Sequence, residues 1–313
     1  MLAPGHHAAA PTIERMTKEH PRSLTSLERR LDTWANRRLE ALQGRVGGGV
    51  LEFVVFTLKQ AWACVFGAAM LVLLIATHLW YPESVALSRS DALVIGAVAI
   101  QALMLILRLE SGRELWVIVL FHLVGTAMEI FKTSVGSWEY GGDGLLWIAG
   151  VPLYTGFMYA AVGSYMVRVF RLFDLRFDHY PPRWATALLG LAIYLNFFGH
   201  HYLFDTRWVL LVLIVALYLR CTMHFRNHRS RPWRRMPILV AFGGVAFFIW
   251  IAENIATAAG SWLYPHQADG WQMVSPAKLV AWLLLMIISV VLVTFVYRPR
   301  PLHIPPQDHQ LTR

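Results

Sequence analysis

Two glutamates, Glu129 and Glu253, each head a copy of one motif. The runs Glu129-Ile-Phe-Lys-Thr133-Ser-Val-Gly136-Ser137-Trp138-Glu-Tyr140 and Glu253-Asn-Ile-Ala-Thr257-Ala-Ala-Gly260-Ser261-Trp262-Leu-Tyr264 both read E-x3-T-x2-G-S-W-x-Y, 124 residues apart. The same offset, without a gap, pairs Trp147 with Trp271 and Pro152 with Pro276. That is eight identities in 24 positions, where average residue usage would give roughly one or two. Both acids fall inside apolar runs, where an ionised carboxylate costs about 3 kcal/mol or more and therefore faces a cavity or a partner. Desolvation disfavours the charged form of each. If the two copies face each other, the acids compete for a proton and titrate as a pair, one neutral and one ionised, as acid–base chemistry requires. The plainer alternative is that each caps a neighbouring helix or pairs with a lysine such as Lys132.

Other polar groups gather near these acids. His122 precedes Glu129 by two turns, so it shares a helix face with Thr126, Thr133 and Gly125. The second copy has Ala246 in its place, which suits a site where one half supplies a proton shuttle. A histidine hydrogen-bonded between helices is the bland alternative. Asn196, His200 and His201 close a further apolar run. Adjacent histidines point apart on a helix and neither belongs to an H-x3-H or E-x2-H spacing, so polar anchoring is expected there and no metal or cofactor. Trp138, Tyr140, Trp262 and Tyr264 fit an interfacial aromatic belt, or the roof of a cavity in which aromatic faces steady a cation. With Thr133 and Thr257 they form the candidate substrate contacts, and Glu129, Glu253 and His122 the candidate catalytic set.

The elements that must position these groups are membrane helices. Of 313 residues, 57% are hydrophobic and 15% charged, against about 25% charged in a soluble domain. Apolar runs at about 54–79, 92–107, 114–133, 145–167, 184–201, 208–222, 237–258 and 279–297 read as eight spans, most near the ~20 residues a crossing needs. Pro152 and Pro276 sit where the fourth and eighth begin. Lys and Arg between the runs divide twenty-three on one side and four (Arg89, Lys132, Arg207, Lys278) on the other. That asymmetry places both termini in the cytoplasm of a bacterial inner membrane. The net charge of +9 follows this topology pattern, which argues against nucleic acid as a partner. Cys64 and Cys221 offer no disulfide or metal framework.

The expected architecture is all-α: a basic tail over 1–50, a transmembrane domain over 51–298 and a tail over 299–313. An offset of four spans implies a parallel duplication with halves at about 51–175 and 176–298. In the first tail, residues 1–22 read as disordered. Thr25-x-x-Glu28 reads as a capping box opening a helix with Leu24, Leu27, Leu31, Trp34, Leu39 and Leu42 on one stripe, flanked by Arg29, Arg30, Arg37 and Arg38. Such a helix lies on an anionic membrane surface or packs on the protein's own loops. Gly47-Gly48-Gly49 reads as a flexible joint, and the arginine-rich loop 220–235 as a solvated cytoplasmic face or a lipid-headgroup contact.

The run His122 to Tyr140, the segment Pro152-Leu-Tyr-Thr-Gly-Phe-Met-Tyr-Ala-Ala-Val-Gly-Ser-Tyr165 and Asn196-Phe-Phe-Gly-His-His201 resemble a bacterial family of integral membrane proteins, domain of unknown function 817, the YoaT-like proteins. The resemblance covers about 50–298 and implies a multi-pass membrane protein without an assigned activity. Glu followed seven residues later by Gly-x-Trp-x-Tyr, then Pro-Leu, also looks like carotenoid hydratases and small membrane lycopene cyclases. That likeness implies that one of Glu129 and Glu253 protonates a polyene and the other acts as base. The chain lacks the paired-acid Pro-x-Glu-Glu/Asp motif of the cyclases. The expected function is acid–base catalysis on an isoprenoid or other lipid. A proton-coupled carrier and a non-catalytic membrane scaffold are the alternatives, with membrane lipids and a lipophilic small molecule as partners.

Overall fold

In lipid a backbone must satisfy its own amides, and the apolar runs accordingly fold as helices. A computed structural model describes residues 24–42, 47–82, 84–110, 112–228 and 231–302. The helices are α1 Ser26–Leu42, α2 Gly48–Ala63, α3 Val65–Trp80, α4 Arg89–Ile106, α5 Gly112–Ser134, α6 Tyr154–Leu172, α7 Arg183–Gly199, α8 Arg207–Tyr218, α9 Ile238–Ala258 and α10 Lys278–Val296. Among the described residues α4, α5, α9 and α10 are long and apolar enough to cross a membrane, and α2 with α3 makes a fifth candidate, bent by 62°. The chain is mostly helical, and these apolar helices are compatible with a multi-pass membrane protein. Four or five of the eight expected spans meet that length and apolarity among the described residues. The 12 residues of α8 rise only about 18 Å, and α6 carries Arg168 and Arg171 in its last turns.

The helices pack largely in sequence-local pairs. The closest is α5 against α6, where glycines admit side chains from the facing helix. A Cβ at Gly125 would lie 2.4 Å from the Tyr159 ring, and one at Gly156 would lie 2.3 Å from Nδ1 of His122. α10 packs on α9, α7 and α6, whereas α9 leans on α10 and α3. Pro152 and Pro276 each precede the first residue of α6 or α10 by two positions.

Strands appear where the start of the fourth span and the loops after the fourth and sixth were expected. β1 Trp147–Ile148 and β2 Val151–Pro152 form a hairpin. Its two turn residues, Ala149 and Gly150, have φ of 48° and 79°, the left-handed pair that suits strand twist. β3 Arg176–Asp178, β4 Thr222–Phe225 and β5 Arg234–Pro237 form an antiparallel sheet in which Met223 pairs with both Phe177 and Met236. Much of the stretch 220–235 is therefore a hairpin, on which Arg220, Arg234 and Arg235 are exposed. Phe225 packs on Phe56 and Phe173 at 5.5 and 6.2 Å between ring centres, so the strand is held by its aromatic rather than by alternation.

The capping box forms as read: Thr25 N donates to Glu28 Oε2 at 2.8 Å, and Glu28 N to Thr25 Oγ1 at 3.3 Å. Glu28 is buried and accepts from Arg171 Nη2 at 2.7 Å. Arg171 also pairs with Glu114, and Arg168 with Glu110 at 3.4 Å. Asp32 pairs with Lys59 at 3.0 Å. α1 thus docks on the protein, by its acidic side, while Leu27, Leu31 and Trp34 remain exposed. Gly48 and Gly49 belong to the first turn of α2. The readings for residues 1–22, for the side chains of Leu39 and Leu42, and for the tail beyond Leu302 lie outside the described residues.

Removing one member of a buried ion cluster leaves a charge without a partner, which costs about 3–5 kcal/mol. Arg171→Met is expected to lower the melting temperature sharply and to expose α1 to protease, measured by limited proteolysis in detergent. Burial pulls the Glu28 carboxyl upward, but the charge and hydrogen bond of Arg171 outweigh it and hold the group below its usual range. Its contribution is therefore complete above the ordinary glutamate value near 4.3 and is lost as pH falls through the lowered one. Protection of α1 should persist at pH 5 and fail only in stronger acid.

Candidate functional site

The two motif copies end their helices in the same way. Gly136 and Gly260 adopt φ of 69° and 63°, and each terminates a Schellman cap. Gly136 N donates to Thr133 O at 3.0 Å and Ser137 N to Lys132 O at 2.9 Å; Gly260 N donates to Thr257 O at 2.9 Å and Ser261 N to Ala256 O at 3.1 Å. Thr133 and Thr257 bond back to the carbonyls of Glu129 and Glu253 at 2.9 and 3.0 Å, so their hydroxyls serve the helix. The left-handed glycine turns the chain back along its own helix, and the tyrosine eleven residues after the acid then meets it. Tyr140 donates to Glu129 Oε2 at 2.6 Å, and Tyr264 to Glu253 Oε1 at 2.5 Å. Between these returning segments Glu139 and Leu263, again 124 apart, exchange backbone hydrogen bonds of 3.1 and 3.0 Å.

Further donors complete each carboxyl. Glu129 accepts from Trp138 Nε1 at 2.8 Å and from Tyr159 at 2.6 Å. Glu253 accepts from Trp282 Nε1 at 2.5 Å. Trp262 does not copy Trp138; it is buried in the cluster with Tyr154, Ala259 and Tyr264. Both glutamates are buried, at 4% and 3% exposure. Burial, reinforced by the Glu129 charge, pushes the Tyr140 hydroxyl upward, and burial with Glu253 does the same to Tyr264. Both phenols therefore stay protonated, as donors.

The two carboxyls head a cavity of about 1100 Å³. On α6 its wall runs through Met158, Val162, Tyr165, Val169 and Phe173, a helical stripe about 22 Å long at 1.5 Å per residue. α9, α10, α3 and α2 supply the other walls. At the glutamate end Trp138, Tyr140, Trp262, Tyr264, Asn196 and His200 join the lining, with Lys132, Lys278 and Arg207.

Not every expected residue comes together. His122 lies outside this lining, against Phe157 at 4.8 Å and the Cα of Gly156. Its ring is turned into the α5–α6 seam. Asn196 Oδ1 accepts from Thr206 N and Oγ1 at 3.0 and 2.7 Å and so closes the α7–α8 turn. His200 Nδ1 lies 2.9 Å from Asn196 O, and His201 Nε2 3.0 Å from Lys132 Nζ. Burial, then the charges of Lys132 and His200, hold the His201 imidazole below its usual range, which leaves it neutral and able to accept from Lys132. Among the described residues no group of three or more His, Cys, Asp or Glu side chains could hold a metal. The pairing of a glutamate with Lys132 is replaced by neutral donors.

Sequence reasoning missed Tyr159, Trp282 and Lys278. Tyr159 carries a signal in Gly125, whose missing side chain admits its ring. Lys278 and Trp282 are four apart at the start of α10 and so share a face. A glutamate held only by phenol and indole donors, and open on one side to an apolar cavity, can exchange a proton with a lipophilic molecule there.

A family model described as a protein of unknown function, DUF817, matches residues 52–290. The uncharacterized protein YoaT of Bacillus subtilis (strain 168) is 42% identical over 244 residues, covering 78% of this chain and 91% of its own length. No solved structure matches. Neither match brings in a carotenoid hydratase or a lycopene cyclase, so that likeness rests on acid-to-aromatic spacing alone. The matched stretch holds both motif copies and every residue placed around the two glutamates, and the chain belongs to the DUF817 family.

Proposed function

We propose that this chain is a membrane-embedded acid–base enzyme acting on an isoprenoid or another lipid. One observation carries the reading: two buried carboxyls, each held by a phenol and an indole donor, close one end of an otherwise apolar cavity. In its protonated form one carboxyl donates its proton to a carbon–carbon double bond, leaving a carbocation. The other, as carboxylate, either takes a proton from water as that water adds, or removes a proton from the adjacent carbon. The first course gives hydration and the second isomerisation or cyclisation.

This reading includes an eight-helix inner-membrane domain over 51–298 with cytoplasmic tails, built as two halves. Its support is the division of basic residues, the starts of α6 and α10 at Tyr154 and Lys278, 124 apart, and the bridge between Glu139 and Leu263. A proton-coupled carrier is the second reading. The observation that favours it is the length of the cavity wall along α6, about 22 Å of a hydrocarbon core near 30 Å.

Lipid mass spectrometry on a deletion strain complemented with the wild-type gene, Glu129→Gln or Glu253→Gln decides between them. The enzyme reading expects a species that needs both carboxyls and differs from its precursor by one water, or by retention at constant mass. Matching profiles from all three genes would sink it, and proton-dependent uptake into vesicles would then establish the carrier. Tyr159→Phe removes one donor to Glu129, a charge-assisted bond of about 1.5–3 kcal/mol. It is expected to slow product formation roughly tenfold to a hundredfold, measured as accumulation rate at equal protein level.

A further inference from the structure

The cavity's polar end holds cations that the proposed acid–base chemistry does not use. Lys132 is 5% exposed and lines the cavity, and its ammonium meets only His201 Nε2 at 3.0 Å and the Phe197 ring at 5.6 Å. Lys278 also lines it, with Nζ 4.2 Å from the centre of the Tyr264 ring and 5.8 Å from that of Trp138. Neither lysine is in any ion pair among the described residues, although Glu253 is near enough to Lys278 to act on its charge. Glu129 and Glu253 take their hydrogen bonds from neutral donors instead. Arg207 stands close to both lysines and pairs with Asp205. Asp205 and Glu253 act on Lys132 and Lys278 from a distance without pairing with them, and a buried ammonium with no carboxylate in contact is costly, so two in one cavity wall ask for a nearer anion.

The remainder of the cavity dictates the shape of that anion's carrier. The α6 stripe is apolar for about 22 Å, room for one extended chain. The way in is sideways. Ala61, Cys64 and Ala68, at the bend between α2 and α3, line the cavity and are exposed; so do Gly244, Phe248 and Ile255 on α9. An opening edged by apolar residues on membrane helices faces acyl chains rather than water.

We propose that the cavity takes a single-chain lipid with an anionic head group, phosphate or carboxylate, the head seated between Lys132 and Lys278 and the chain along α6 after entry between the α2–α3 bend and α9. This names the substrate class of the site above and rests on that reading. The head then lies at the glutamate end, which places the reacting double bond in the first part of the chain.

The test uses the full chain in phosphatidylcholine nanodiscs and three radiolabelled octadecenyl probes differing only in head: phosphate, carboxylate and alcohol. Both anions are expected to bind at least tenfold tighter than the alcohol. Lys132→Gln/Lys278→Gln should bring all three within about twofold by weakening the anions alone. Gly244→Leu fills space that is open around a Cβ there; it should slow association of every probe and leave the head-group preference unchanged. If the alcohol equals both anions on the wild-type protein, the head-group assignment is overturned and the acid–base reading survives. If no probe binds a protein that still melts cooperatively, both fall together. Should the lysine variant fail to fold, the wild-type comparison of heads is decisive alone.

Discussion

A carboxyl group buried in a membrane protein must be given donors, and the architecture around Glu129 and Glu253 follows from that demand. Each acid is met from its own chain by a tyrosine that returns after a left-handed glycine, and from the next helix by a second aromatic donor. The close α5–α6 seam exists in part because Tyr159 must reach Glu129 over Gly125. Choosing phenols and indoles rather than arginine leaves the acids uncharged by their partners. Each can then hold or release a proton without breaking an ion pair.

The other end of the bundle solves a similar problem by the opposite means. Glu28, Glu110 and Glu114 are buried against Arg168 and Arg171. Full charges paired across α1, α5, α6 and the turn before α5 make a fixed anchor. A pair of that kind resists loss of either partner, whereas a phenol–carboxyl contact tolerates a change of protonation. One end is held by ion pairs and the other by neutral donors.

Much of the glutamate site was legible because its geometry is local. The interval from acid to glycine to tyrosine is set by one helix turn and one cap, and both copies carry it. What was not legible depends on contacts between residues distant in the chain. Tyr159, Trp282 and Lys278 reach the acids across helix pairs, and His122 faces a seam rather than the cavity because of where Gly156 falls on α6. The face by which α1 docks was hidden for the same reason. Its stripe of leucines suggested an apolar contact, but Arg171 and Lys59 lie far along the sequence and claim its acidic side. The three-stranded sheet escaped notice because strands of three and four residues carry too little alternation to register.

The backbone exchange between Glu139 and Leu263 carries a consequence for how such a chain can vary over time. Because each loop is in register with the other, adding or deleting one residue between the cap and the tyrosine would shift a side chain to the wrong face. The error would reach both carboxyls, since the partner loop would lose its pairing too. The two stretches from acid to aromatic are therefore expected to keep their lengths among related chains.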